Sequence, residues 1–376
     1  MREIKFNIPL KIPKSIRNVK NFLDKKQPLH GPGENIKKIK KIVNKNFNFK
    51  NIHLTNSCTS ALEISALALN LKENDEVIVP SFSFITSASS FARTGCKIKY
   101  CDIQENNLMP SFDQIKKCIN KNTKAILILH YQGYSVEYLS ELKNLCIKKK
   151  IYLIEDAAQA LGSYYKNKPL GSFGDFACFS FHETKNLHSG SGGMLVVNNK
   201  KFIEKTKSIF DKGTNRYLME TNKVKYYSWV TIGSAFLMSE LSASYLLPQI
   251  KECKMIFKDR SKIYLHYVKK LKDISKNNFA LTNNYKYRYN FHAFVLVLKK
   301  NQRDKFLNYL KKNKINAVIS YTELHKSKKG STYFNKQDVL TNTDYLVKRI
   351  VRLPMHNYLT LNDVNYICNK IKKYFN

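Results

Sequence analysis

The sequence predicts an α/β fold with a large domain over residues 1–245, built on a mainly parallel central sheet, and a smaller C-terminal α+β domain over residues 246–376. Helical and strand patterns alternate from about residue 50 to about residue 210, as in βαβ crossovers that cover both faces of a parallel sheet. After about residue 245 the pattern changes. A chain of 376 residues is also long for a single core, so a second domain is expected.

The elements of the large domain follow from the spacing of its apolar residues. TSALEISALALNL (59–71) has the periodicity of a helix, and EVIV (76–79) is a short strand that ends at Pro80. Further strands and helices then alternate. In order, they are a helix in SFSFITSASSFART, a strand in KIKYCDI, the strand KAILILH (124–130), a helix in VEYLSELKNLCIKKK, and the strands IYLIED (151–156), FACFSF (176–181) and MLVVN (194–198).

The C-terminal part has a different composition. A long lysine-rich helical region runs to about residue 275, and the apolar run AFVLVL (293–298) follows it. A helix near 302–312 and the segment INAVIS (315–320) complete the pattern of a small α+β domain.

The chain is strongly basic, with 65 lysines and arginines against 28 acidic residues and a formal net charge of +37. Such a charge could neutralise the phosphates of a nucleic acid. The basic residues are dispersed in pairs and triplets, however, and no zinc-finger, RNP or helix-turn-helix pattern accompanies them. We therefore expect solvated surface charge and no nucleic-acid partner.

Cysteine usage and hydropathy bear on the compartment. The eight cysteines form no CxxC pair, and Cys146 and Cys178 lie inside apolar segments, as buried thiols do in a reducing environment. No apolar run approaches the length of a membrane span, and the N-terminus has no long apolar stretch. These features predict a cytoplasmic protein with no membrane partner, and we predict no metal ligands.

Asp156 is the first candidate site residue, because it stands where the apolar strand IYLIED ends. In parallel sheets, ligands bind beyond the carboxyl ends of the strands. A carboxylate at this place could cap the next helix, or it could pair with the cationic ring nitrogen of a cofactor.

The segment TNSCTSALE (55–63) places Ser57, Thr59 and Ser60 at a predicted helix N-terminus. Free amides and the positive end of the helix dipole make such a turn suitable for a phosphate. Serine and threonine also cap helices throughout proteins, so simple capping is the alternative.

SFHETKN (180–186) supplies Ser180 at another strand end and Lys185 five residues later, and the glycine-rich GSGGM (190–194) follows. A lysine in a desolvated pocket has a lowered pKa and can form a Schiff base as a neutral amine. A single lysine after a strand is ordinarily surface charge. The phosphate turn, the aromatic SFSF, the strand-terminal Asp156 and Lys185 occur together in the order that describes a pyridoxal 5′-phosphate (PLP) enzyme with the aspartate-aminotransferase fold.

Several longer segments carry a more specific resemblance. They are NSCTSALE, VIVPSFSFITSAS, EDAAQALGSYY, LGSFGDFACFSFHETKN, DKGTNR, YTELH and RLP. In this order, across nearly the whole chain, they resemble the DegT/StrS family of nucleotide-sugar aminotransferases. The resemblance implies a fold type I PLP-dependent transferase.

The resemblance also implies roles at the cofactor. Lys185 would hold PLP covalently and move protons, and Asp156 would keep the pyridine nitrogen protonated. Phe84 matches the aromatic residue that stacks on the ring, although a phenylalanine in a helix is by default a core residue. Gln159 matches a residue at the ring face or its 3-hydroxyl. The phosphate site is implied to include Ser57, Cys58, Thr59 and Ser180.

Substrate and partner contacts follow in the same way. Tyr321 and His325 of YTELH are expected at the nucleotide sugar, with His325 at the diphosphate. The family acts as a dimer with shared sites. The segment expected to reach the partner's site contains Gly213, Thr214, Asn215 and Arg216.

The sequence departs from the family at three positions. Leu237 stands where many members have an asparagine that reaches the partner's cofactor phosphate, and Ser234 or Ser239 could serve instead. Ser191 stands where a glutamate is common, which puts substrate contacts there in doubt. Cys58 replaces the more usual glycine of the phosphate turn.

The expected reaction moves the amino group of L-glutamate to the 4-keto carbon of a nucleotide-linked 4-keto-6-deoxyhexose. The preferred substrate is dTDP-4-keto-6-deoxyglucose, with dTDP-4-amino-4,6-dideoxygalactose as product, for surface-polysaccharide synthesis. A UDP-linked or 3-keto sugar remains an alternative. A PLP sugar dehydratase or a non-catalytic regulatory homologue is disfavoured, because Lys185 and Asp156 are both present.

Overall fold

The structure is a computed structural model that describes residues 2–282, 287–335 and 338–376. A seven-stranded sheet lies at its centre, with the order β1-β9-β8-β5-β4-β2-β3, and β6 and β7 form a separate two-stranded sheet. The strands are β1 Ile52–Thr55, β2 Glu76–Pro80, β3 Lys97–Cys101, β4 Thr123–Leu129, β5 Tyr152–Asp156, β6 Tyr164–Tyr165, β7 Lys168–Pro169, β8 Phe176–Ser180 and β9 Gly193–Val197. All neighbours from β3 to β8 pair in parallel, and only β9 runs antiparallel to its two neighbours. The prediction of an α/β fold with a mainly parallel sheet is confirmed.

The helices that accompany this sheet are amphipathic or wholly apolar according to their position. The long apolar helix in TSALEISALALNL is mostly buried, as a helix between a sheet and other helices must be. The helices are α1 Pro13–Asp24, α2 Glu34–Phe47, α3 Cys58–Leu69, α4 Ile85–Ala92, α5 Phe112–Cys118, α6 Leu139–Lys149, α7 Ile203–Phe210, α8 Arg216–Met219 and α9 Glu240–Lys251. In the described part of the chain, no helix is long and apolar enough to cross a membrane.

A second, antiparallel sheet has the order β10-β11-β12, with β10 Phe279–Leu281, β11 Phe294–Leu298 and β12 Ile350–Leu353. Its helices are α10 Cys253–Asn278, α11 Arg303–Lys312, α12 Thr341–Leu346 and α13 Leu361–Phe375. These elements agree with the predicted lysine-rich helix, the strand AFVLVL and the following helix. INAVIS forms only single bridges, from Ile315 to Ile4 and from Val318 to Arg352.

The N-terminal segment crosses to the C-terminal part of the chain. The backbone amide of Ile4 donates to the carbonyl of Lys314, and the carbonyl of Phe6 accepts from the amide of Met355. Residue 245 lies inside α9, which packs against α1 and α2. The division into residues 1–245 and 246–376 therefore stays a prediction.

Glu155 anchors the turn that leads into β8. Its carboxylate is fully buried and accepts hydrogen bonds from His130 Nε2 at 2.8 Å and from three backbone amides at 2.7 Å. The amides belong to Gly171, Phe173 and Gly174. Burial raises the pKa of Glu155, but these hydrogen bonds outweigh burial, so the pKa lies below its usual value.

We expect Glu155→Gln to lower the free energy of unfolding by about 2–4 kcal/mol, because an amide cannot accept all four hydrogen bonds. Urea denaturation at neutral pH measures this.

Since the pKa of the Glu155 carboxylate is lowered by folding, the stabilisation that it provides is present at neutral pH and is lost as pH falls below the ordinary glutamate pKa. The difference between the two proteins should therefore shrink in acid. Glu73→Gln, at an exposed position, is the control, and an equal effect at both sites would contradict the prediction.

Candidate active site

A cavity of about 330 Å³ opens at the carboxyl edge of the central sheet. Asp156 ends β5 and Ser180 ends β8, so both strands deliver a polar residue to the same edge. The predicted site residues that line the cavity are Ser57, Cys58, Thr59, Phe84, Asp156, Ser180, Lys185 and Tyr321. Residues separated by more than 260 positions in the sequence thus meet at one place.

Asp156 is buried in the cavity wall, with 2% of its surface exposed. Its Oδ2 accepts a hydrogen bond from the Ser87 hydroxyl at 2.6 Å, and its Oδ1 accepts one from the Ala158 amide at 3.2 Å. Burial nevertheless raises the pKa of Asp156 above its ordinary value. A buried carboxylate in this state would be stabilised by a cationic partner.

Lys185 faces the same cavity from the loop after β8. The loop is closed by a hydrogen bond from the Lys185 amide to the His182 carbonyl at 2.8 Å. Burial, and secondly the nearby guanidinium of Arg352, lowers the pKa of Lys185 to about 8. The neutral, nucleophilic fraction of its amine near physiological pH is therefore much larger than that of an ordinary lysine.

The N-terminus of α3 contributes backbone amides to the cavity. Ser57 caps the helix, and its Oγ accepts from the Ser60 amide at 3.0 Å, so the capping role considered for this residue is observed. The amides of Cys58 and Thr59 donate to no acceptor in the described part of the chain. A Cβ at Gly193 would lie 2.5 Å from the Cys58 amide nitrogen, so only glycine lets the strand pass this close.

Two further predicted residues, Phe84 and Tyr321, line the cavity, and a third, Gln159, contacts Tyr321 from behind. Phe84 is not inside a helix: it is the N-cap of α4, and 51% of its surface is exposed. Its ring centroid lies 6.0 Å from that of Tyr321. Gln159 is buried behind Tyr321, and its Nε2 donates to the Tyr321 hydroxyl at 2.5 Å.

Asn215 and Arg216 do not line the cavity of their own chain within the described residues. They begin α8, where Asn215 Oδ1 accepts from the Ser228 amide at 2.7 Å and Arg216 pairs with Glu220 at 3.3 Å. Their expected reach into a partner's site stays a prediction.

His325 is buried and engaged within the chain. Its Nδ1 lies 2.7 Å from the Ser81 hydroxyl, and its Nε2 lies 3.2 Å from a carboxylate oxygen of Asp344. Both ring nitrogens thus have protein partners, and the placement gives no support to a contact with a diphosphate.

The structure shows the contacts of the three residues that depart from the family pattern. Leu237 pairs with Thr55 through the backbone, and Ser191 lines the cavity while its hydroxyl donates to the Asn56 carbonyl at 3.0 Å. Cys58 is the first residue of α3, and burial raises the pKa of its thiol. Cys58 therefore offers a backbone amide more readily than a thiolate.

Other lining residues were not predicted. Thr86, His182, Thr184 and Arg352 also face the cavity. Arg352 lies on β12 in the motif RLP, for which the sequence alone predicts no role. The motif RLP was the only signal in the sequence, and the fold is needed to show that Arg352 and Lys185 line the same cavity.

Comparison with known proteins decides the family. Residues 11–372 match the model of the DegT/DnrJ/EryC1/StrS aminotransferase family. The chain belongs to this family. It is 30% identical over 326 residues to an uncharacterized protein of Methanocaldococcus jannaschii, with 85% of this chain and 84% of the relative covered. It is 28% identical to the GDP-perosamine synthase of Vibrio cholerae, with 85% and 84% covered.

A solved structure gives the same result. The Helicobacter pylori PseC, an aminotransferase involved in the biosynthesis of pseudoaminic acid, matches with a TM-score of 0.90 and 25% identity, covering 100% of this chain and 99% of PseC. The enzyme is thus a PLP-dependent nucleotide-sugar aminotransferase.

The groups in the cavity fit the polar parts of PLP. The buried carboxylate of Asp156 suits a cationic ring nitrogen, and the amine of Lys185 suits an aldehyde. The amides of Cys58 and Thr59 suit a phosphate. Among the described residues, no group of three or more side chains could hold a metal ion.

We expect the rate at which the apoprotein gains visible absorbance on addition of PLP to rise with pH, with a midpoint near the pKa of about 8 at Lys185. Only the neutral amine attacks an aldehyde, and the lowered pKa makes the amine neutral above about 8, whereas an ordinary lysine requires about 10.4. Stopped-flow absorbance over a pH series measures the midpoint, with an exposed-lysine peptide as the reference. A midpoint equal to that of the peptide would contradict the assignment.

Proposed function

We propose that this enzyme transfers the amino group of L-glutamate to the 4-keto carbon of a nucleotide-linked 4-keto-6-deoxyhexose. The observation that carries this proposal is that Lys185 and Asp156 face one cavity together with the free amides of α3. The preferred substrate is dTDP-4-keto-6-deoxyglucose, supported by the sequence motifs SFHETKN and KGTNR. The product, dTDP-4-amino-4,6-dideoxygalactose, would enter surface-polysaccharide synthesis.

The relative from Vibrio cholerae supports a second candidate, a GDP-linked sugar, because its name is GDP-perosamine synthase. The two candidates share the chemistry at the reacting carbon and differ in the nucleotide. The cavity residues named so far act on the cofactor and the reacting carbon, so they favour neither nucleotide.

In the proposed mechanism, PLP supplies an electron sink for the carbanion at the reacting carbon. Lys185 would hold the cofactor through its amine, and the same amine would move a proton to and from the reacting carbon. Its lowered pKa suits both tasks, since the neutral amine can accept a proton near physiological pH. Asp156 would pair with the protonated pyridine nitrogen, and this cationic partner would offset the burial that raises the pKa of its carboxyl.

The remaining residues bind and orient. The amides of Cys58 and Thr59, with the hydroxyl of Ser180, are proposed to hold the phosphate. Phe84 is exposed at the mouth of the cavity and can stack on a flat ring. Tyr321, fixed by its hydrogen bond from Gln159, is proposed to contact the sugar.

We further propose a homodimer with shared sites. The segment after KGTNR exposes large apolar side chains, with 74% of Tyr226, 79% of Trp229 and 71% of Ile232 accessible. Such a patch is typical of an interface. A second copy that covered it would bring Asn215 and Arg216 close to the interface.

All eight cysteines are free thiols, which supports the proposed cytoplasmic location.

Lys185→Ala should lose the visible absorbance, and its turnover should fall by a factor of at least about 10³, because no other lysine lines the cavity among the described residues. The assay incubates purified protein with L-glutamate and with dTDP-, GDP- and UDP-linked 4-keto-6-deoxyhexoses, and NMR identifies the product and the aminated carbon.

The matched control is Lys149→Ala, at an exposed position on α6, which should keep both properties. A Lys185→Ala protein that stays yellow and active would contradict the cofactor role. A product aminated at carbon 3, or no product from any of the three sugars, would contradict the proposed reaction.

A further inference from the structure

A second cavity, of about 430 Å³, shares no lining residue with the catalytic one. It lies against one face of α10, between the C-terminal end of α2, the loop after β5 and the segment before β11. This volume lies in the range of cavities that bind small molecules. We call it the α10 cavity, and the lining residues that matter here are Asn46, Tyr164, Lys254, Phe257, Lys258 and Arg288.

The apolar part of the α10 cavity consists of aromatic rings. Tyr164, Phe257 and Phe291 line it, and all three are only half-buried. Gly162 lets the ring of Phe257 lie against the backbone: a Cβ at Gly162 would be 2.3 Å from that ring, and the φ of this glycine is +89°. Partly accessible aromatic faces of this kind favour a ligand that contains a flat ring.

Three cations border these rings. Lys254 and Lys258 are one turn apart on α10, on the face that also carries Phe257. The guanidinium carbon of Arg288 lies 3.6 Å from the ring centroid of Tyr164, so the guanidinium is stacked. A stacked guanidinium keeps the donors at its edge available, and their planar fork fits a phosphate.

These charges are not neutralised by the protein itself. Within residues 2–282, 287–335 and 338–376, no acidic side chain lines the α10 cavity. In the same ranges, Lys254, Lys258 and Arg288 have no ion-pair partner. The cavity is therefore complementary to an anion.

Asn46 adds a group that can read the edge of a ring. It is half-buried in the cavity wall. A side-chain amide presents a donor next to an acceptor, which is the pattern that pairs with the edge of a nucleobase. A simple anion would leave the rings and this amide unused, and an apolar ligand would leave the cations unpaired. A nucleoside phosphate uses all three.

One ring links the α10 cavity to the neighbourhood of the reactive lysine. Phe257 also lines a small cavity of about 20 Å³ whose wall includes Lys185, Asn290 and His292. In the part of the chain that the structure describes, it is the only residue that lines both spaces. A ligand on Phe257 would thus be separated from the space beside Lys185 by a single side chain.

We propose that the α10 cavity is a second binding site, separate from the catalytic cavity, for a nucleoside 5′-phosphate. The base stacks on the rings of the cavity and meets Asn46 with its edge. The phosphate pairs with Arg288, Lys254 and Lys258. This inference does not depend on the proposed aminotransfer.

Isothermal titration calorimetry of the PLP-loaded protein tests the ligand class. AMP, GMP, UMP and dTMP are each titrated at about 0.15 M salt, where the long-range attraction of the basic surface is screened. We expect saturable binding of at least one of them with a Kd below about 1 mM, and at least about 10-fold weaker binding of its nucleoside and of inorganic phosphate. Equal affinity for inorganic phosphate, or no saturable binding of any nucleotide, would overturn the proposal.

Two charge-removing variants test the place of binding. Arg288→Gln and Lys258→Gln should each raise the Kd of that nucleotide about 10-fold, as for loss of a charge-assisted hydrogen bond. Both side chains are exposed, so neither change should disturb folding. The matched control is Lys262→Gln, which removes an equal charge one turn further along α10. Lys262 is exposed, pairs with Asp259 at 3.1 Å and does not line the cavity, so its Kd should stay within about twofold of the parent.

Uptake of PLP separates this site from the catalytic cavity. Arg288→Gln and Lys258→Gln should gain visible absorbance with PLP as the parent does, because neither residue lines the catalytic cavity. An unchanged nucleotide Kd in both variants would show that the nucleotide binds elsewhere and would overturn the proposal. Joint loss of nucleotide binding and PLP uptake would also overturn it, since the two ligands would then depend on one site.

Discussion

The site depends on one constraint: a buried carboxylate and a half-buried amine face the same cavity without pairing with each other. Asp156 and Lys185 form no ion pair in the described part of the chain, and burial raises the pKa of the first and lowers that of the second. Each group alone would be costly to bury. A cofactor with a cationic nitrogen at one end and an aldehyde at the other would give both groups a partner, so its binding would relieve the unfavourable burial that the fold imposes.

The central sheet places Asp156 and Lys185 at the same edge. Asp156 ends β5, and Glu155 beside it fixes the turn that precedes β8 through three hydrogen bonds from backbone amides of that turn. The chain then returns from β8 through the loop that carries Lys185. On the far side, Arg352 and His292 connect this loop to β12 of the second sheet, while the N-terminal segment contacts the same region through Phe6. The cavity is therefore formed by parts of the chain that are remote in sequence.

Much of the large domain could be predicted, because its strands are buried on both faces and appear as unbroken apolar runs. KAILILH and IYLIED end within one residue of β4 and β5. Parallel strands also bring their carboxyl ends to one edge, which is why Asp156, Ser180 and Lys185 could be placed together. What escaped prediction depends on contacts between distant residues: Phe84 precedes its helix, INAVIS forms only single bridges, and His325 is enclosed by Ser81 and Asp344. Arg352 and His292 are 60 residues apart, and no local pattern joins them.

We propose that Lys185 is the residue that holds the cofactor, and borohydride reduction can identify that residue. Reduction of the PLP-loaded protein fixes the cofactor on its lysine, and mass spectrometry of the digested protein identifies the labelled peptide. The account predicts a single stoichiometric label on Lys185, despite the many exposed lysines of this basic chain. A label on another lysine, or one spread over surface lysines, would contradict it.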